Sequence, residues 1–214
     1  MHKSLTKLLQ VPVSCSGSRK GVRALVGALL ISGLVLSGCA QDSGNVAPTD
    51  VAGQGYQSGD GSITTWAVAD RTDQVALTGQ DYEAQAVDTT EWYGEVVVLN
   101  TWYAACPPCR AEAPDLVALE EEFAEQGVKF LGINRTDDAG TAQAFEREYG
   151  VTWPSINDAA GSAIASLAGV VPIKAVPTTV VLDREGKVAA RVLGQIDKSI
   201  MQTLIGETLA EVSD

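Results

Sequence analysis

The chain has 214 residues, 27 of them acidic and 15 basic, for a formal net charge of −12, with four cysteines and one histidine. A surface of that sign repels phosphate, which argues against a nucleic-acid partner. The single histidine is His2, so the body of the chain has no Ser/His/Asp or Cys/His catalytic system and offers no histidine to zinc, copper or haem.

Lys3, Lys7, Arg19, Lys20 and Arg23 precede the first acid, Asp42, and residues 24 to 36 form an apolar run broken only by glycine and serine. This is the pattern of a signal-peptide core. It ends in Leu36-Ser37-Gly38-Cys39, which resembles the lipobox of bacterial lipoproteins; the resemblance implies a signal peptide over 1–38 and a lipid on Cys39. An ordinary secretory signal or an uncleaved anchor is the alternative, and either still exports the domain. Cleavage after residue 38 removes five basic residues and no acid, leaving ten against 27 and a net charge of −17.

Residues 39 to 62 are the prospective lipidated cysteine and a flexible linker. They are Gly, Ser, Gln, Asp and Asn with few large apolar side chains, and such a tether spans ~25 Å in root-mean-square terms. The folding unit is then 63–214, roughly 150 residues, long enough to bury a core without a structural disulfide. With Cys15 in the signal and Cys39 lipidated, Cys106 and Cys109 are left free for chemistry.

Short apolar segments at residues 75–77 and 86–87 predict a hairpin or edge strands, and Thr89-Thr90-Glu91-Trp92-Tyr93 a single helical turn. Val96-Val97-Val98-Leu99 is a continuous β-branched run of the kind a strand buried on both faces requires. It leads directly into Cys106-Pro107-Pro108-Cys109. Beyond the cysteines, Ala111, Leu116, Leu119 and Phe123 interleave with acids as an amphipathic helix ending near Gly127, with Pro114 inside it and a kink expected there. A second buried strand follows at 128–133, a helix at 138–149 capped by Asp137 or Asp138 and stopped by Gly150, and a short Ala-rich helix at 158–168. Residues 176–183 read as another strand, 183–187 as a hairpin turn into a strand at 188–193, and Asp197 as the cap of a last helix. Alternating strands and helices closed by a hairpin define an α/β class with a mixed sheet.

A strand running into CxxC at a helix start is an arrangement for making and breaking a disulfide. Cys106 meets the positive end of the helix dipole, which favours thiolate and marks it as the attacking residue. Cys109, one turn in, is shielded but within reach to resolve the mixed disulfide. Pro107 and Pro108 fit a first helical turn, where their N–H groups would lack helical partners, yet they remove two donors that could stabilise the thiolate. The expected consequence is a pair that leans toward donating electrons. Zinc ligation, a structural disulfide and copper carriage by the two thiolates are the alternatives; zinc lacks two ligands, and a two-residue disulfide loop constrains little.

Asn100-Thr101-Trp102 before the cysteines, Arg110-Ala111-Glu112-Ala113-Pro114 after them, and Val176-Pro177-Thr178-Thr179 with Leu182-Asp183-Arg184-Glu185-Gly186-Lys187 resemble the TlpA/ResA-like membrane-tethered thiol-disulfide oxidoreductases. The resemblance covers residues 63 to 210. It implies a thioredoxin-like fold, a mixed central sheet flanked by helices, here with an N-terminal hairpin extension. It further implies a Cys106–Cys109 redox disulfide, Pro177 as the cis-proline facing it (Pro154 and Pro172 being rivals), and a substrate-binding role for Val176, Pro177 and Trp102. On spacing alone Glu112 reads as a solvated helix glutamate; by resemblance it manages protons for Cys109. The resemblance implies no cofactor or resident metal. Its partners are protein thiols and disulfides, among them the CxxCH cysteines of apocytochrome c, and a membrane thiol donor, with reduction the preferred direction. A disulfide-forming oxidase, a copper-delivery protein and a binding lipoprotein with incidental cysteines remain open. The family's usual tryptophan before the first cysteine is Ala105 here, a departure that bears on substrate preference.

Overall fold

The structure is a computed structural model that describes residues 62–71, 73–172 and 174–211. The signal, Cys39 and linker expectations lie outside the described residues.

Eight strands and four α-helices occur in the order β1 (Ile63–Thr65), β2 (Thr78–Gln80), β3 (Ala86–Asp88), β4 (Val96–Thr101), α1 (Pro107–Phe123), β5 (Val128–Asn134), α2 (Ala139–Tyr149), β6 (Ser155–Asn157), α3 (Ser162–Ser166), β7 (Thr178–Leu182), β8 (Val188–Leu193) and α4 (Lys198–Ala210) among the described residues. Six strands form one sheet in the order β1-β8-β7-β4-β5-β6. β4–β5 and β5–β6 are parallel, whereas β4–β7, β7–β8 and β1–β8 are antiparallel. The sheet is therefore mixed and has helices on its faces.

β4 is buried at all six positions because successive side chains point to opposite sheet faces and both faces are covered. Val96 and Val98 pack with Leu116, Leu119, Phe123, Leu204 and Ile205 of α1 and α4, while Val97 and Leu99 pack with Leu77, Val87, Ile164 and Leu167 on the other side. β5 and β7 divide in the same way, Phe130 and Val181 to the first layer, Leu131 and Val180 to the second. The continuous apolar run in the sequence is the signature of this two-sided burial.

The N-terminal hairpin is present, but its strands pair from Thr78 to Asp88 and form a separate two-stranded sheet. Val75 and Leu77, read from the sequence as strand residues, instead precede the ladder and are buried in the core, with the Val75 N–H donating to the Gly186 carbonyl (2.8 Å). Their side chains fill space between elements, which periodicity cannot distinguish from strand pairing. β6 has no counterpart in the sequence prediction; three residues are too few to show a period. α1 runs through Pro114 without interruption of the helix. Asp138, rather than Asp137, caps α2 by accepting the Thr141 N–H, and Gly150 ends that helix at φ 75°, a left-handed conformation that glycine adopts without a Cβ clash. Asp197 caps α4 by accepting the N–H groups of Ser199 and Ile200.

Candidate active site

The two-sided burial of β4 ends at Thr101, and the next few residues carry the chain over the sheet edge into α1. Cys106 is the N-cap, its Sγ accepting the Cys109 N–H at 3.2 Å, with Pro107 and Pro108 in the first turn. The two sulfurs are joined in a disulfide, with their Cα atoms 5.3 Å apart. Burial does not separate the two cysteines as expected: Cys106 is 1% and Cys109 2% exposed. Their settings do. Cys106 lies between exposed Ala105 and Pro107, whereas Cys109 faces inward onto a cavity of about 10 Å³ whose wall it shares with Asn100, Trp102 and Leu116.

Glu112 is fully buried, which corrects the solvated-helix reading. One turn beyond Cys109, it points into the layer between α1 and the sheet, where Asn100 Nδ2 donates to Oε1 (2.8 Å) and the Ile196 N–H to Oε2 (3.0 Å). Burial pushes its carboxyl up to about 7, the two hydrogen bonds pull it down, and Asp115 adds to the rise. Asn100 also donates to Thr179 Oγ1 (3.1 Å), so one side chain ties the carboxyl to β7 and stands in the wall beside Cys109.

Trp102, 6% exposed, stacks on Phe145 at 4.5 Å between ring centroids, and Phe145 meets Tyr149 at 4.7 Å. The Arg110 guanidinium lies 5.4 Å over the Tyr149 ring and pairs with Glu148 at 2.9 Å. Gly132 makes room for Trp102: a Cβ there would stand 2.7 Å from the indole Nε1 and 2.3 Å from Ser155 Oγ. The approach to the cysteines is held by Asp137, whose Oδ2 accepts the Ala104 N–H (2.6 Å) and Asn134 Nδ2 (2.9 Å). Asn134, Gly132 and Phe145 escaped the sequence reading, and Asp137 entered it only as a candidate helix cap. They reach the site only because β4 and β5 run parallel in register, Thr101 beside Ile133.

The Val176–Pro177 peptide bond is cis. The Thr178 N–H, just after it, donates to Thr101 Oγ1 (2.8 Å), which fastens this loop to the strand that carries the cysteines. Val176 is 36% exposed, and neither its N–H nor its carbonyl has a hydrogen-bond partner among the described residues. Val176 and Trp102 both line a cavity of about 220 Å³, which also meets Tyr103, Ile133, Arg135 and Ile164. The structure thus gathers Cys106, Cys109, Glu112, Trp102 and Thr101, the partner of the Pro177 loop, at one end of β4.

A family model described as the AhpC/TSA family matches residues 68–191. The chain belongs to the AhpC/TSA family. Within it, the chain is 32% identical over 109 residues to a thiol-disulfide oxidoreductase ResA of Halalkalibacterium halodurans; the match covers 51% of this chain and 60% of that relative, less than two thirds of its length. A secreted thiol-disulfide isomerase from Corynebacterium glutamicum superposes with a TM-score of 0.67 at 32% identity, over 73% of this chain and 98% of that one. A thiol:disulfide interchange protein of the thioredoxin family from Chlorobium tepidum shares the fold, with a TM-score of 0.62 at 23% identity, over 67% of this chain and all of that one. The thioredoxin-like fold, the ResA-type resemblance and the enzyme class of thiol-disulfide oxidoreductase are thereby borne out for this AhpC/TSA-family chain.

Proposed function

We propose that the protein is an extracytoplasmic, membrane-anchored reductase of protein disulfides. The observation that carries this is the Cys106–Cys109 disulfide at the start of α1, with Cys106 Sγ at the helix N-terminus. In the reduced enzyme the Cys106 thiolate attacks one sulfur of a substrate disulfide, forming a mixed disulfide and releasing the other substrate sulfur as a thiol. Cys109, having given up its proton, then attacks Cys106 Sγ. The substrate leaves with two electrons and two protons gained, and the 106–109 disulfide remains. A thiol donor at the membrane restores the dithiol by the same exchange in reverse.

Glu112, one turn beyond Cys109 on α1, is assigned as its proton acceptor, because burial pushes its carboxyl up to about 7 and Asn100, which donates to it, borders the same small cavity as Cys109. Val176 docks the substrate chain by strand addition through its unpaired N–H and carbonyl, beside cis-Pro177 and the Trp102 ring. The two prolines support the reductive direction: of the amides in the first turn of α1, the Cys109 N–H is the one that reaches Cys106 Sγ, which leaves the thiolate sparingly stabilised and favours giving up its electrons.

Export and anchoring rest on the lipobox-like Leu36-Ser37-Gly38-Cys39 and on the likeness to a secreted isomerase. No helix among the described residues is long and apolar enough to cross a membrane. The family resemblance supplies the substrate class, cysteine pairs such as those of the apocytochrome c CxxCH segment. Cys109→Ala tests the whole scheme, since it leaves the mixed disulfide unresolved. A protein adduct on Cys106, lost again in Cys106→Ser/Cys109→Ala and identified by mass spectrometry, is the expected result. A folded Cys109→Ala protein that gathers no adduct in cells would refute it.

A further inference from the structure

The cavity of about 220 Å³ that opens between the Trp102-Tyr103 approach to the cysteines and the Ala175-Val176 loop has apolar walls from Trp102, Ile133, Ile164 and Val176. Its volume is that of one large aliphatic or aromatic side chain. Its rim is not apolar: Arg135 and Thr136, which follow the end of β5, stand there, and Arg135 is exposed.

Arg135 has no carboxylate within ion-pair distance among the described residues, although the chain carries 27 acids. Arg71, Arg110, Lys129 and Lys187 are each paired. The guanidinium instead lies over Gly161, whose backbone leaves it room: a Cβ there would come within 3.1 Å of Nη2. Lys174, exposed and one residue before the cavity-lining Ala175, has no ion-pair partner among the described residues either. On the α2 side of the cysteines acids outnumber cations: Asp138 and Glu148 line the open cavity beside Ala104 together with Arg110, which is paired with Glu148, and Asp137 holds the Ala104 N–H. The cysteines therefore stand between a cationic rim over an apolar cavity and an acidic flank.

We infer that Arg135 is a specificity-determining residue, selecting extended polypeptides whose target cysteine is flanked by a large apolar residue followed by a carboxylate. The apolar side chain enters the cavity while the chain pairs with Val176, and the carboxylate meets the guanidinium at the rim. Charge complementarity favours this occupant, because the cation of the α2 flank, Arg110, is already paired with Glu148, whereas Arg135 on the cavity side has no carboxylate partner among the described residues. The inference rests on the exchange chemistry proposed above and adds the substrate class.

The test uses reduced protein and three peptides, each bearing its cysteine as a 2-pyridyl disulfide, with Leu-Asp, Leu-Asn or Leu-Lys beside it. Release of pyridine-2-thione is followed by absorbance. An exposed pair of this kind is expected to give the Asp peptide about a threefold to fivefold higher second-order rate than the Asn peptide, with the Lys peptide slower still. Arg135→Gln brings the Asp/Asn ratio to about one, Arg135→Lys keeps most of it, and raised salt compresses it in the wild type. A wild-type ratio of one, or an unchanged ratio in Arg135→Gln, overturns the inference while leaving the exchange chemistry standing. Failure of every peptide to release pyridine-2-thione overturns both.

Discussion

Replacing Glu112 with glutamine is expected to change how stability depends on pH. The wild-type carboxyl is held up to about 7 by burial, against 4.5 for the free side chain. The folded state therefore holds a proton that the unfolded state has released between those two values. With a folded value above the unfolded one, the stabilisation is complete below pH 4.5 and is lost as pH rises through 7. At 1.36 kcal/mol per unit, the loss is about 3 kcal/mol. Glutamine does not titrate, so its contribution is flat. It also carries an NH2 that must face one of two donors, Asn100 Nδ2 or the Ile196 N–H, at a cost of about 1–3 kcal/mol at every pH. Urea unfolding of the oxidised proteins at pH 4.5, 6 and 8 separates these effects, because all other titrations are common to both proteins. The wild-type advantage should shrink by about 3 kcal/mol from pH 4.5 to 8, and the Glu112→Gln protein can overtake at the alkaline end. A difference constant to within about 0.5 kcal/mol would show that Glu112 holds no extra proton and would remove it from the proton path.

The same variant should lose an inflection near pH 7 in the rate at which the reduced thiols react with an alkylating agent; superimposable profiles would separate Glu112 from the thiol chemistry. Pro108→Ala returns an amide to the first turn of α1, and one added N–H to the Cys106 thiolate should make the couple more oxidising by about 30 mV, read by equilibration with glutathione; an unchanged or more reducing potential contradicts the account of the two prolines. Gly132→Ala sets a methyl 2.3 Å from Ser155 Oγ and 2.7 Å from the Trp102 indole, so a loss of about 1–3 kcal/mol in urea unfolding and an altered Trp near-ultraviolet spectrum are expected. Phe145→Ala strips the ring stacked on Trp102 and should cost about 3–5 kcal/mol by the same assay; a loss under about 1 kcal/mol would mean that the stack does not hold the site.

The elements that periodicity marks strongly were legible without a structure: the β4 run, the helix after the cysteines, the β7–β8 hairpin and the Asp197 cap all rest on local chemistry. Val75 and Leu77 were not, because a side chain that plugs a core from an irregular segment leaves the same trace as one in a strand. β6 is shorter than any period that could reveal it. At the site, the cysteines and the Val176-Pro177 pair carry their own motif. Glu112 pointed both ways, since helix spacing says which face a residue occupies but not what covers that face.

Local chain chemistry is enough to establish the reactive pair, its place at a helix start, the two prolines between the sulfurs and the lack of any histidine in the body of the chain. Each of these can be read over a few neighbouring residues or from composition. Long-range packing was needed to seal Glu112 under the sheet with Asn100 and Ile196, to fasten the approach to Cys106 with Asp137, and to stand Arg135 unpaired at the rim of the cavity by Val176. Those contacts join residues that are far apart in the chain, and the parallel register of β4 on β5 and the antiparallel register of β4 on β7 bring them to one end of the sheet.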